Sequence, residues 1–331
     1  MGVNVVRGLT TTHPRQVRIP APRVAEWPSI GVVVATRNRP NLVRRALASV
    51  SEQDYPGPLR VVIVFDGVAP DWRLTRGGER PVLVLENWRT PGLAGARNSG
   101  ILAAYDCELV ALCGDADTWT PAKLTTQVLA MRTRPGTLFA TCAAEVEYDG
   151  RRTARLAGLR DVGVDELTHD PARALCASGF VARQKALATA HAMGGIGLVA
   201  EDGPTGGEDW DLLLRAAKCA PIRHVDTPLV RVLWRPNSID PTGCAAKVRA
   251  LRWLVARHPE IGQSRPSAAR IYAEIACWEA AAGDRSAAQI WARAALRARW
   301  CEPRAIVSMA AAVGLLRGGS LRAILCRHQV H

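Results

Sequence analysis

Long apolar runs are missing from the 331-residue chain, and their absence limits what the protein can be. The longest candidate, residues 305–316, has the length of a buried helix. It falls short of the roughly 18 to 20 apolar residues that a membrane-spanning helix needs. The first residues also lack the compact apolar stretch and small-residue cleavage site of a secretory signal. We therefore expect a cytoplasmic protein without a bilayer span.

The spacing of a disulfide or zinc framework is also missing. The chain has nine cysteines, an odd number at scattered positions, and no C-x-x-C pair. A thiolate zinc site or a redox pair therefore lacks its usual arrangement. Most cysteines lie in apolar runs, as Cys113 does in LVALCG and Cys142 in LFATCAA. We interpret them as small buried side chains in a reducing compartment.

Lysine is scarce, with four residues in the whole chain, so arginine supplies most of the positive charge. The formal net charge is +13, and the segment from Ala245 onward holds 14 Lys+Arg against 5 Asp+Glu. Such a basic segment suits an acidic partner, a nucleotide-linked substrate or an anionic membrane surface. A compositional preference for arginine produces the same excess. Since no zinc-finger or RNA-binding signature accompanies the charge, we expect no nucleic-acid partner.

Composition divides the chain into three parts. Residues 1–28 are rich in Pro and Arg without a sustained period, which predicts an extended lead-in. Residues 29–244 alternate buried-strand and amphipathic-helix patterns, which predicts an α/β domain with a mixed, mostly parallel sheet and helices on both faces. Residues 245–331 read as an all-helical appendage. Within it, residues 271–303 resemble one tetratricopeptide-like unit, although any antiparallel helix pair needs similar small residues.

The Asp115-Ala116-Asp117 segment is the sharpest chemical feature of the sequence. It follows the predicted strand 108–113, and ligands of such sheets lie at the carboxyl ends of strands. Two carboxylates at this spacing suit a hard divalent cation that also takes diphosphate oxygens. Taken alone, a D-x-D sequence is equally typical of a turn with aspartate caps.

Other polar residues follow predicted strands or begin predicted helices. Asp66, at the end of the predicted strand 60–65, suits a hydrogen bond to a ribose or base, or an ordinary Asp-Gly turn. Arg97 and Asn98 lie near a helix start, where anions bind, but their segment is neither a G-x-G-x-x-G nor a P-loop sequence. The acidic string from Glu208 begins a predicted helix, where acids are common for electrostatic reasons.

In their order along the chain, these segments resemble family 2 of the inverting glycosyltransferases, which have the GT-A fold. The resemblance covers residues 28–240. VVVATRNRPNLVRRALASVSEQDYP is similar to the family's first strand, T-x-N-R motif and first helix. GLAGARNSGI is similar to its G-x-x-x-A-R-N-x-G segment, and GDADTWTPAKL to its metal-binding D-x-D. GEDWDLLLRA resembles the acceptor-side E-D motif.

The resemblance implies a metal-dependent, inverting hexosyltransferase that uses a nucleoside diphosphate sugar, most often a UDP-sugar. The acceptor would be a small molecule, a peptide or a glycan. Carried over to this sequence, the family's general base is Asp209, with Glu208 and Trp210 on the acceptor side. Asp115 and Asp117 would hold Mg²⁺ or Mn²⁺. The residues assigned to the donor are Thr36, Arg37, Asn38, Asp66, Arg97, Asn98, Asp115 and Arg235.

Two positions depart from the family pattern. Phe65 stands where the first residue of an acidic pair is usual, which leaves base contact to Asp66. Arg235 stands where a histidine is often found, and its guanidinium would pair with a diphosphate oxygen or cover Trp234. The alternatives are an inactive or divergent nucleotide-sugar-binding protein and an interaction protein that acts through its helical tail. That tail would serve homo-oligomer formation or peripheral membrane contact.

Overall fold

The computed structural model describes residues 26–169, 176–190, 193–233 and 241–312. The strands of these segments join in one sheet, and the first of them is IGVVVAT, in which every residue is buried. Burial of both faces suits a β-branched run without a polar side. The strands are β1 (Ile30–Thr36), β2 (Leu59–Phe65), β3 (Val82–Glu86), β4 (Leu109–Gly114), β5 (Thr118–Trp119), β6 (Phe139–Tyr148), β7 (Arg151–Arg155), β8 (Asp161–Val162), β9 (Val181–Arg183) and β10 (Ile222–Leu233).

The sheet is mixed, and most of its paired residues are in parallel register. Its order is β3-β2-β1-β4-β9-β6-β10-β5, with β7 beside β6 and β8 beside β10. β1 pairs in parallel with β2 and β4, β2 with β3, and β10 with β6. β9 is antiparallel to both β4 and β6. The predicted α/β class is confirmed.

Helices cover both faces of this sheet. The first begins at Pro40, a position where proline costs little because the missing N–H would have no partner. The helices are α1 (Pro40–Ser51), α2 (Leu93–Ala103), α3 (Lys123–Arg132), α4 (Val164–His169), α5 (Gln184–Ala188), α6 (Glu208–Cys219), α7 (Pro241–Arg257), α8 (Arg265–Ala282), α9 (Arg285–Ala298) and α10 (Pro303–Ala312). None of the helices in the described segments has the length and apolar composition to cross a bilayer.

Two hydrophobic cores lie on opposite faces of the sheet. Along β1, Val32 and Val34 point into one core and Val33 into the other, as the two-residue period of a strand requires. α1 and α3 cover the first core. α2 and α6 cover the second, and side chains of α7 and α8, such as Leu251 and Ile275, belong to this same core.

The predicted C-terminal helices are present as α7 to α10. α8 ends at Gly283, whose φ of 100° closes the helix in the left-handed region, and Asp284 caps α9 by accepting the N–H of Ala287 at 2.8 Å. α8 and α9 pack against each other, and α10 contacts both. A tetratricopeptide-like repeat and a domain boundary near residue 244 stay predictions. The predicted lead-in falls almost wholly outside the described residues.

Lys123, in the first turn of α3, is an unusual member of the core because it carries a charge. Its side chain is fully buried, and its Nζ lies 3.5 Å from the ring centroid of Trp119. Nζ has no hydrogen-bond partner among the described residues. Burial lowers the pKa of this ammonium from 10.5 to about 8.

We expect Lys123→Met to stabilise the protein at pH 7 by about 2 kcal/mol. The lowered pKa corresponds to about 3 kcal/mol against the folded state at neutral pH, and the lost cation–π contact offsets about 1 kcal/mol. Above pH 8 the folded lysine is neutral while the unfolded lysine still binds a proton. The wild type therefore gains stability up to the ordinary lysine pKa of 10.5, and the advantage of the variant disappears there. Urea unfolding at pH 7 and pH 10 measures both effects, and a variant that is less stable at pH 7 contradicts the argument.

Candidate active site

Asp115 lies where the sequence predicts it, beyond the end of β4 and beside the end of β1. Because β1 and β4 are parallel neighbours, their carboxyl ends adjoin. Thr36 donates its hydroxyl to Asp115 Oδ2 at 2.9 Å, and Arg39 donates Nη1 to Oδ1 at 3.1 Å. These two hydrogen bonds fix the carboxylate at the rim of the sheet.

Asp117 is held from β4 and from residues 177–179 rather than from the end of β1. The hydroxyl of Ser178 donates to Asp117 Oδ2 and accepts the N–H of Gly114 at 2.7 Å. Burial raises the pKa of Asp117 to about 6, and the negative charges of Asp115 and Asp209 add to this effect. A Cβ at position 114 would lie 2.5 Å from Asp117 Oδ2, so a larger residue there would displace this carboxylate.

Arg97 connects these strand ends to the start of α6. Its guanidinium is 8% exposed and donates Nη1 to Asp209 Oδ1. Burial opposes the charge of Arg97, but Asp209, Glu208 and Asp117 together raise its pKa above the ordinary value. The buried cation therefore lies among carboxylates from two elements that are distant in sequence.

Of the two acidic residues at the start of α6, Asp209 is the accessible one. Its side chain is 45% exposed, whereas Glu208 is buried and accepts the N–H of Gly206. Burial and the neighbouring Asp209 raise the pKa of Glu208. Trp210 is half-buried against the core, and its Nε1 has no hydrogen-bond partner among the described residues. An acceptor contact by Glu208 or Trp210 stays a prediction.

Asp66 closes the other side of the site at the end of β2. Its Oδ1 accepts the Asn87 amide and the Gly92 N–H, each at 2.9 Å, while Arg37 Nη1 lies 4.0 Å from Oδ2. A cavity of about 510 Å³ opens beside this strand end. Its lining residues include Thr36, Asn38, Arg39, Phe65, Val68 and Trp72. Two of these lining residues, Thr36 and Arg39, also bind Asp115.

Asn98 binds the chain itself. It is 1% exposed and makes two hydrogen bonds with the backbone of Val199, at 2.8 and 2.9 Å. Its amide also donates to Glu201 at 2.6 Å. Asn98 therefore fastens the glycine-rich segment 193–207 to α2, and its predicted donor contact is untested. Arg235, which the resemblance also assigned to the donor, lies outside the described residues.

Sequence reasoning missed Asp211, which anchors α6 to the C-terminal helices. Its carboxylate is 0% exposed and accepts Arg215 and Arg257, both at 2.8 Å, and His258 at 3.0 Å. The i, i+4 spacing of Asp211 and Arg215 was a visible signal of one pair. Arg257 and His258 lie more than forty residues away, and no local pattern indicates them.

α7 also supports the loop before α6. A Cβ on Gly203 would lie 2.6 Å from the Trp253 ring, and one on Gly207 would lie 3.2 Å from it. The guanidinium of Arg257 lies 5.2 Å from the centroid of the same ring and also binds Asp202 at 3.2 Å. The loop and the first turn of α6 are therefore packed on the C-terminal helices.

The carboxylates suit a hard divalent cation. Mg²⁺ in nucleotide enzymes usually takes one or two carboxylates and completes its shell with phosphate oxygens and water. Asp115 and Asp117 supply that number of donors, and the pKa of Asp117 is raised chiefly by its burial. Within the described segments, no cluster of three or more His, Cys, Asp or Glu side chains is arranged to hold a metal by itself.

Comparison with solved structures shows the fold. S. aureus TarS 1–349, in complex with UDP-GlcNAc, is 12% identical with a TM-score of 0.60, covering 91% of this chain and 92% of that one. The mannosyltransferase PcManGT from Pyrobaculum calidifontis, in complex with GDP-Man and Mn²⁺, is 19% identical with a TM-score of 0.50, covering 93% and 82%. The fold is therefore the GT-A fold of glycosyltransferases.

The family model described as "Glycosyl transferase family 2" matches residues 31–187. This segment is therefore similar to glycosyl transferase family 2, and the predicted resemblance is confirmed. A search of curated protein sequences finds no match to the chain. The matched residues include the D-x-D segment and Arg97, while Asp209 lies beyond them.

Proposed function

We propose that the protein is an inverting glycosyltransferase that moves a sugar from a nucleoside diphosphate sugar to an acceptor hydroxyl by single displacement. The observation that carries the proposal is the pairing of buried Arg97 with Asp209, beside Asp117. Through this pairing Asp209, a candidate proton acceptor, lies near the strand ends that carry Asp115 and Asp117. Those two carboxylates suit a divalent cation that also binds a diphosphate. The family match and the fold support this reading.

The donor would lie across the carboxyl ends of β1, β2 and β4. Asp66 has one carboxylate oxygen engaged and the other facing Arg37, so it offers an acceptor to a ribose or base. The cavity beside Thr36 and Asn38 has room for a nucleoside, since ligand sites span about 300–1,000 Å³. We favour a UDP-sugar, because the structure with the higher TM-score holds UDP-GlcNAc.

Asp115 and Asp117 would hold Mg²⁺ or Mn²⁺. When bound, such a cation neutralises charge that develops on the departing diphosphate. Arg97 lies among the carboxylates of this region and can turn a donor N–H toward a phosphate oxygen, as guanidinium groups do in phosphate sites. Arg39, already bound to Asp115, adds a second cation on the donor side.

Asp209 would act as the general base. The acceptor hydroxyl transfers its proton to a carboxylate oxygen of Asp209 while its oxygen bonds to the anomeric carbon, and the bond from that carbon to the diphosphate oxygen breaks. Attack opposite the leaving group inverts the configuration. Arg97 orients the carboxylate of Asp209, and the packed loop before α6 holds Asp209 in place.

A donor screen by thermal unfolding tests the proposal. UDP-, GDP- and dTDP-sugars are added with and without Mn²⁺, to the wild type and to the variant Asp115→Ala/Asp117→Ala. At a ligand concentration of about 100 Kd, binding stabilises the folded protein by about 2.7 kcal/mol, and its Tm rises. We expect one nucleotide to act, with Mn²⁺ enhancing its effect only in the wild type. No shift with any donor, or an equal Mn²⁺ effect in the variant, overturns the proposal.

A further inference from the structure

Helix α9 presents an unusual outer face. Its buried side consists of alanines, Ala288, Ala292 and Ala295, each 0% exposed. Ile290, Arg293 and Arg297 lie on the opposite side, because residues three and four apart share one face of a helix. Ile290 is 63% exposed although it is the larger apolar residue. The helix therefore packs through its small side chains and presents a branched apolar side chain between arginines to solvent.

The same character continues past the end of α9. Trp300, two residues after the helix, is 84% exposed, and Ile306 in α10 is 54% exposed. The segment 285–312 contains a single acidic residue, Glu302, which is 7% exposed, and five arginines. We name Ile290, Arg293, Arg297, Arg299, Trp300 and Ile306 the α9–α10 surface.

We propose that the α9–α10 surface docks on an anionic lipid bilayer. Lipid phosphates accept the forked N–H donors of arginine, and attraction to an anionic leaflet grows with each basic residue. Tryptophan settles at the boundary between headgroups and acyl chains, and exposed isoleucines enter its apolar side. The lack of an exposed carboxylate in segment 285–312 removes the repulsion that such a surface would otherwise meet.

A polyanion such as RNA is the less favoured partner. Phosphate contacts would satisfy the arginines but leave Ile290 and Ile306 in water, whereas a bilayer accommodates both kinds of side chain. The proposal goes beyond sugar transfer and does not depend on it.

Vesicle co-sedimentation of the full-length protein tests this docking. The vesicles contain phosphatidylcholine alone or with about 30% phosphatidylglycerol, at about 0.1 M and 0.5 M salt. We expect at least about tenfold tighter binding to the anionic vesicles, weakened by the higher salt. Arg293→Glu/Arg297→Glu should reduce this binding about tenfold or more, and Trp300→Ser several-fold.

The matched control is Arg151→Glu/Arg152→Glu on β7, which changes the net charge equally at two exposed arginines. This control should stay within about threefold of the wild type. If both double variants lost vesicle binding equally, the protein would be attracted to the vesicles through its net charge alone. That result would overturn the proposal. It would also be overturned by an absence of vesicle binding, or by Trp300→Ser abolishing self-association while vesicle binding is unchanged. Since the α9–α10 residues are exposed, an unchanged Tm verifies folding in each variant.

Discussion

Asp209→Asn should lower the rate of sugar transfer by about 10²–10⁴-fold while nucleotide binding persists. The amide keeps the shape of the carboxylate and can still accept the N–H of Arg97 through its oxygen, but it is too weak a base to take a proton from the acceptor. Turnover is measured with the donor that the thermal screen identifies. Binding of that donor is measured on the same variant, so that loss of chemistry is separated from loss of donor affinity.

The control for this variant is Asp202→Asn, the same chemical change in the loop before α6. The Asp202 side chain is 66% exposed and pairs with Arg257 at 3.2 Å. We expect its turnover to stay within about threefold of the wild type, because exposed ion pairs contribute little. If Asp209→Asn turns over as fast as this control, the base is a different group. If it fails to bind the donor, Asp209 acts in donor binding instead.

The parts of this structure that are local in sequence could be predicted. Buried apolar runs indicated β1, β2 and β4, and parallel pairing brings the ends of such strands to one edge. The contact between Thr36 and Asp115 follows from that rule, although the two residues are 79 positions apart. The family motifs then assigned roles to residues whose position was already constrained by the sheet.

The contacts that join separate elements could not be predicted. Ser178 holds Asp117 from 61 residues away, and no local pattern indicates this contact. The pairing of Arg97 with Asp209 spans 112 residues, and nothing local in either segment indicates it. The helical tail was expected as an appendage, but α7 and α8 contribute to the core that α6 covers. Such contacts are determined by tertiary packing, which short sequence patterns do not predict.

Asp211→Asn should destabilise the protein by about 3–5 kcal/mol, because it removes one member of a buried ionic network. Arg215, Arg257 and His258 would face a neutral amide that accepts fewer hydrogen bonds. Burial raises the pKa of Asp211, but the bond from His258 and the two guanidinium charges outweigh this and lower it. The contribution of Asp211 to the free energy of unfolding is therefore present at neutral pH. It is lost as the pH falls below the pKa that Asp211 has in the unfolded chain. The difference in free energy of unfolding between the wild type and Asp211→Asn should therefore narrow in acid. Urea unfolding across a range of pH measures it.

A matched control separates this network from carboxylate removal in general. Asp106→Asn makes the same change at an exposed pair, where Asp106 accepts two N–H groups of Arg60 at 2.6 and 2.9 Å. Exposed pairs of this kind contribute about 0–1 kcal/mol, so the two variants should differ several-fold in their loss of stability. If they lose equal amounts, α6 is not held by its charge contacts with α7. In that event the packing of Trp253 on Gly203 and Gly207 must position Asp209, the proposed base, by itself. A bulkier residue at Gly203 should then impair turnover more than Asp211→Asn does.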